Sequence, residues 1–150
     1  MTRFGGESSV EVAAPAAACF ELVCDTPRTP EWQRAIRAVE VLELDSAGRT
    51  SLVRARIDPL VAQIELDLRL SYEEPRRLHM WRERGDLKDL TAAWTFEELS
   101  DDRTRVAFET EFDPGRVMSA LARGPLIAKL EKLLAVQPTR GLREALESPR

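Results

Sequence analysis

The sequence predicts an α+β fold: one curved antiparallel sheet closed by a helix at the end of the chain. Three observations predict it. Alternating polar and apolar residues run almost unbroken from Ile36 to Phe112, the period-two signature of strands. One alternating segment, Ser8 to Val12, and a short proline-terminated helix precede them. From Pro114 to about Leu146 the apolar spacing changes to threes and fours, as on a helix with one greasy side. A bent sheet faced by one long helix encloses a cavity as well as a core. That order of parts points to holding an apolar small molecule rather than working on a polymer.

Each element has its own warrant. Ser9-Val10-Glu11-Val12 alternates as a strand, and Ala13-Ala14-Pro15 ends it. Pro15 suits the first turn of a helix, where a missing N–H costs nothing. Phe20, Leu22 and Val23, with Ala16 to Ala18, supply that helix with an apolar face. Asp25 to Pro30 stops it, because proline cannot continue the hydrogen-bond ladder. Pro30-Glu31-Trp32 opens a second short helical turn. Strands follow over Ile36 to Leu44 and around Val53, Ala55 and Ile57, with a turn at Asp45 to Gly48 between them. Ile64, Leu66, Leu68, Leu70 and Tyr72 alternate with polar residues, a half-buried antiparallel strand. Leu90, Ala92, Trp94 and Phe96 form one face of a later strand, and Val106, Phe108, Thr110 and Phe112 one face of the last. A hairpin centred on Leu99 to Thr104 pairs Trp94 with Phe108 and Phe96 with Val106, so both apolar faces point the same way.

The strand from His79 to Arg84 is legible only through its turns. A tight turn at Gly85-Asp86 sets Trp81 beside Leu90 and His79 beside Ala92. A four-residue turn at Glu73 to Arg76 sets Trp81 beside Leu68. Both put Trp81 and His79 inside. Loops one residue longer would instead put Leu78, Met80 and Arg82 inside. In the tail, Val117, Leu121, Leu126, Ile127, Leu130, Leu133, Leu134, Leu142 and Leu146 make a one-sided stripe, with bends expected at Gly124-Pro125 and at Pro138.

The chain has 150 residues, enough for one domain spanning 1–150 with a full core. Its composition, 32% charged and 43% hydrophobic, is that of a soluble globular protein, and the net charge of −4 gives no field for nucleic acid or an anionic membrane. No apolar run is long enough to span a bilayer and no secretion signal is visible, so a cytoplasmic location is expected. Cys19 and Cys24 sit on different faces of one helix, which suggests neither a disulfide nor a metal site. No metal or cofactor is expected: there is no cluster of ligands and no glycine-rich phosphate loop. Leu42 and Leu44 offer an apolar edge for a weak homodimer.

The aromatic residues Trp32, Tyr72, Trp81, Trp94, Phe96 and Phe108 are expected to converge on one concavity. Tyr72, His79 and Thr110 would tip it with polarity, as small-molecule sites require. His79 is the chain's one histidine, and nothing beside it in sequence offers a nucleophile.

These segments carry a resemblance. Ser9-Val10-Glu11-Val12-Ala13-Ala14-Pro15 with Phe20, then Asp25 to Trp32, then Trp94-Thr95-Phe96-Glu97-Glu98-Leu99 with Thr104-Arg105-Val106 resemble the START-like (SRPBCC) superfamily. Within it the chain looks most like bacterial polyketide cyclase/dehydrase-type proteins. The resemblance covers about Ser8 to Leu146. It implies a helix-grip fold, with seven strands wrapped around the C-terminal helix and two short helices after the first strand. It also implies Trp32 near the cavity mouth and Trp94, Phe96 and Phe108 lining the interior.

Members that catalyse would fold a poly-β-ketone chain in the cavity and assist enolisation with polar and basic groups. This chain departs from that pattern: Leu66, Leu68 and Leu70 take the inward positions, and Arg69 has outward parity. The expected ligand-binding set is therefore Trp32, Leu66, Leu68, Leu70, Trp81, Trp94, Phe96, Phe108, Thr110 and Leu130. If the protein catalyses, Tyr72, His79 and Arg82 are the expected proton donor, base and carbonyl anchor. The alternatives are a non-catalytic lipid or quinone carrier and a protein-interaction module on the same scaffold.

Overall fold

The computed structural model describes residues 4–58, 63–115, 128–129 and 131–148. Seven strands form one antiparallel sheet: β1 (Phe4–Val12), β2 (Ile36–Leu44), β3 (Thr50–Ile57), β4 (Ile64–Glu73), β5 (Arg77–Gly85), β6 (Asp89–Ser100) and β7 (Arg103–Asp113). Their spatial order is β1-β7-β6-β5-β4-β3-β2. Consecutive strands from β2 to β7 are neighbours, and β1 returns to the far edge beside β7.

Helix α1 (Ala16–Cys24) and a 3-10 turn (Thr26–Glu31) link the two edges. Pro15 holds the extended backbone of an N-cap. The 3-10 turn begins at Thr26 and stops before Trp32, earlier than the turn expected at Pro30 to Trp32. Prolines at 27 and 30 fix φ there but remove donors, which favours the short 3-10 form over a longer α-helix.

The expected hairpin between β6 and β7 is present in the expected register: Trp94 faces Phe108 and Phe96 faces Val106. Strand β5 has the other parity. His79 pairs with Ser71 and Ala93, and Trp81 with Arg69 and Thr91. Both residues therefore point away from the core, while Leu78 and Met80 point in. The cause is loop length. Glu73 pairs with Arg77 around a three-residue loop, and Trp81 pairs with Thr91 rather than Leu90. Each connection is one residue longer than a tight turn, and one residue reverses a strand's faces. Gly85 has φ +128° but is still within β5, opposite Leu66. A Cβ there would lie 2.4 Å from the Glu65 carbonyl oxygen, so glycine serves a close strand approach rather than a hairpin turn.

At the end of the chain a π-helical turn (Lys132–Val136) leads into α2 (Gln137–Glu147). Pro138 lies in the first turn of α2. Its missing N–H and bulky ring disturb the preceding ladder, which accounts for the wider turn just before it. The expected Gly124-Pro125 bend and the stripe residues Val117, Leu121, Leu126, Ile127 and Leu130 lie outside the described residues.

This terminal segment is stitched along the free edge of β1. Gly5 N–H donates to Glu131 Oε2 at 2.9 Å, Ser8 Oγ to the Ala135 carbonyl at 2.6 Å, and Ala13 N–H to Glu147 Oε2 at 2.8 Å. Leu142 is fully buried, and Leu133, Leu134 and Leu146 pack on the core.

On the opposite, outward face, charge pairs form ladders. Asp67 is only 3% exposed and is covered by Arg54, at 2.9 Å, and by Arg84. Arg69 bridges Glu83 at 2.7 Å and Glu43 at 3.2 Å.

Two outcomes follow from this packing. A Cβ at position 141 would lie 1.9 Å from the Trp32 carbonyl oxygen. Gly141→Ala must displace backbone, and urea unfolding should show a loss of about 1–3 kcal/mol. The Arg54 and Arg84 guanidinium groups hold the Asp67 carboxyl below its ordinary value. Its stabilising contribution is thus complete above the normal carboxylate range near pH ~4 and disappears as pH falls through its own lower value. In denaturation measured from pH 7 down to 2, Asp67→Asn should begin less stable than wild type and converge on it at the acid end.

Candidate functional site

The inward face of the sheet, the 3-10 turn and Leu134 enclose a cavity of about 110 Å³. Parity assigns its wall. Val53, Ala55 and Ile57 come from β3, Ile64, Leu68 and Leu70 from β4, Leu78 and Met80 from β5, Ala92 and Trp94 from β6, and Phe108 and Thr110 from β7. Val23, Thr26, Thr29 and Gln33 close the end nearest α1. Among the described residues no lining side chain carries a charge or titrates.

Trp94 is the aromatic centre. Its ring lies 4.6 Å from Phe108, 6.4 Å from Phe96 in a stacked arrangement, and 5.6 Å from Trp32 edge-on. Such pairs contribute roughly 0.5–1.5 kcal/mol each beyond the area they bury, so the ring cluster is a rigid wall.

The polar groups divide into two kinds. Thr110 Oγ1 donates to the Thr91 carbonyl at 3.0 Å, and Thr26 Oγ1 reaches Thr50 Oγ1 at 3.4 Å. Both are engaged with the fold. The side chains of Thr29 and Gln33 have no hydrogen-bond partner among the described residues, and both are partly exposed. Gln33 N–H donates to the Thr29 carbonyl at 2.9 Å, so the two stand one turn apart where the cavity wall meets the surface.

The expected ligand-binding residues separate accordingly. Leu68, Leu70, Trp94, Phe108 and Thr110 are on the cavity wall. Leu66, Phe96 and Trp32 are buried in the packing beside it. The Trp32 indole N–H is buried without a hydrogen-bond partner among the described residues. Trp81 is 40% exposed on the outward face, for the parity reason given above. Leu130 lies outside the described residues.

The expected catalytic residues are not brought together. Tyr72 is on the inward face, but its hydroxyl donates to the Thr50 carbonyl at 2.6 Å, and burial pushes its pKa up. Its ring and that of Phe20 lie under the Arg49 guanidinium, which also holds Glu21 at 2.7 Å and Glu74. His79 points outward, with Nε2 3.0 Å from Glu73 Oε2. Arg82 shares the parity of Leu78 and Met80 but does not line the cavity, and its guanidinium donates to the Gly85 carbonyl at 3.0 Å. Cys24 is buried, which pushes its thiol up to about 12 and leaves it no thiolate at neutral pH.

The sequence reading missed Leu78, Met80, Thr29 and Gln33 as lining residues. The first two follow from the strand parity that the loops decide. The last two carried one signal, a pair of uncharged polar residues four apart around Trp32.

Comparison with known proteins yields the same architecture. Over 95% of this chain and 97% of the other, the fold matches a START superfamily protein from Mycobacterium smegmatis with a TM-score of 0.83 at 20% identity. It matches the Zhui aromatase/cyclase from a Streptomyces species with a TM-score of 0.80 at 20% identity, over 97% and 94% of the two chains. These likenesses establish the helix-grip fold. In sequence, the chain is 29% identical over 119 residues to the ribosome association toxin RatA of Pseudomonas aeruginosa, covering 77% of this chain and 78% of that one. Residues 12–135 match the family described as polyketide cyclase/dehydrase and lipid transport.

Proposed function

The chain belongs to the polyketide cyclase/dehydrase and lipid transport family, and from that premise we propose that it binds an apolar, ring-sized small molecule in the inner cavity and does not transform it by acid–base chemistry. The observation that supports this reading is the uncharged lining of the cavity. Proton transfer needs a titratable group within hydrogen-bond reach of the reacting atom. Tyr72 is held by the Thr50 carbonyl, and His79 is on the other side of the sheet. An aromatic wall with a few neutral polar groups is instead what holds and orients an apolar guest.

Size narrows the ligand. A cavity of about 110 Å³ accommodates a group on the order of one aromatic ring. The remainder of a larger ligand would lie toward Thr29 and Gln33.

Native mass spectrometry of freshly purified protein should reveal a co-purifying apolar molecule, or a stoichiometric complex after addition of a ring-bearing hydrocarbon. Ala92→Leu adds three carbons to the cavity wall and should abolish that complex, while the circular dichroism spectrum stays that of wild type. A wild-type protein that stays empty with every apolar compound offered would end this reading.

A second reading draws on the curated relative, whose name assigns it to ribosome association. Trp81, 40% exposed on the outward face of β5 beside His79, is the kind of aromatic anchor a macromolecular contact uses. On this reading the protein sediments with ribosomes in a sucrose gradient and Trp81→Ala releases it. A protein found only at the top of the gradient excludes the second reading and leaves the first untouched.

A further inference from the structure

We infer that Thr29 and Gln33 select the ligand: the cavity takes a compact ring-bearing molecule carrying one uncharged oxygen, a ketone or alcohol, in preference to a hydrocarbon or a carboxylate. The inference rests on reading the inner cavity as a binding site, and it names the chemistry that site recognises.

Three observations carry it. The interior is apolar, and its other two polar side chains, Thr26 and Thr110, already have partners within the fold. Thr29 and Gln33 have none among the described residues. Between them they present a hydroxyl and a primary amide, hence both donors and acceptors. They are also held in place from outside. The Gln137 amide donates to the Trp32 carbonyl at 3.2 Å and accepts the Arg34 N–H at 3.1 Å, clasping the chain on both sides of Gln33. Gly141, one turn further along α2, brings the helix backbone against the same Trp32 carbonyl. The backbone that carries the pair is thereby fixed, so only the two side chains' own rotamers have to be ordered when a ligand oxygen meets them.

Charge sets the other limit. A carboxylate entering this lining would lose its hydration and meet no cation, because every described lining side chain is neutral. A hydrocarbon would fit the apolar wall but offer the amide and hydroxyl of the mouth no hydrogen bond. A neutral oxygen satisfies both constraints.

The test uses three compounds of ten carbons each: butylbenzene, butyrophenone and 4-phenylbutyrate. Affinities are read by isothermal titration calorimetry at pH 7. Wild type should bind the ketone and the hydrocarbon and show no binding of the carboxylate. In Thr29→Val/Gln33→Leu, the ratio of ketone to hydrocarbon affinity should fall by about five-fold, the worth of one net hydrogen bond. Gln33→Lys, a substitution at a partly exposed position, should gain 4-phenylbutyrate binding and supplies an independent readout if the double variant does not fold. An unchanged ratio, or no gain of carboxylate by Gln33→Lys, overturns the selection by these residues while hydrocarbon binding upholds the cavity as a site. Carboxylate binding to wild type as tight as that of the ketone overturns it as well. Failure of wild type to bind either neutral compound removes the binding site itself, and the inference with it.

Discussion

The interior of this protein depends on how closely one helix approaches one carbonyl. At Gly141 the backbone of α2 lies against the Trp32 oxygen, where no side chain larger than hydrogen fits. Gln137, on the same face of the helix one turn earlier, completes the contact with two hydrogen bonds to the same segment. Trp32 is thereby pressed edge-on against Trp94, and Trp94 against Phe108. The helix thus fixes the mouth of the cavity and its aromatic wall together. Hydrogen bonds from Gly5 and Ser8 of β1 and from Ala13 just after it, to Glu131, Ala135 and Glu147, hold the terminal segment to the sheet. The Gly5 N–H, a donor on the edge strand, is thereby satisfied within the chain.

Period-two alternation sorts the chemistry of the sheet into two compartments. The inward face is apolar. The outward face carries the arginine–carboxylate ladders, with Asp67 nearly buried but matched by two guanidinium groups. The described wall of the cavity is therefore free of charge while the outward face meets solvent with its ions paired. A single added or deleted residue in a hairpin would invert this division for a whole strand. Gly85 and the three-residue loop after Glu73 therefore have consequences far from where they sit.

Much of this was legible in the sequence, and the parts that were not share a cause. The strand faces of β4, β6 and β7 are read directly from alternation, and the β6–β7 register followed from demanding that two apolar faces coincide. Strand β5 resisted because it is amphipathic on both faces: Leu78 and Met80 on one parity, His79 and Trp81 on the other. There the choice passed to turn lengths, and Gly85 suggested a tight turn when its real reason is the close backbone of β4. Thr29 and Gln33 were hidden differently. Their place on the cavity wall depends on how the segment around Trp32 sits on the sheet, and that segment is held by Gln137 of α2 more than a hundred residues later. No local pattern encodes such a contact.

One protein that shares this fold is named an aromatase/cyclase, and the family description also includes lipid transport. A cyclase needs a group that can give or take a proton beside the reacting carbon. In this chain the inward tyrosine is engaged with a backbone carbonyl, the histidine is on the outward face, and the arginine of matching parity bonds to the carbonyl of Gly85 at the end of its own strand. Among the described residues the cavity is lined by aliphatic and aromatic side chains with Thr26, Thr29, Gln33 and Thr110. A low-dielectric chamber magnifies any electrostatic contact made inside it, so a single introduced charge would be costly unless paired. Thr29 and Gln33, where the cavity wall meets the surface, are the partly exposed polar positions of the described lining.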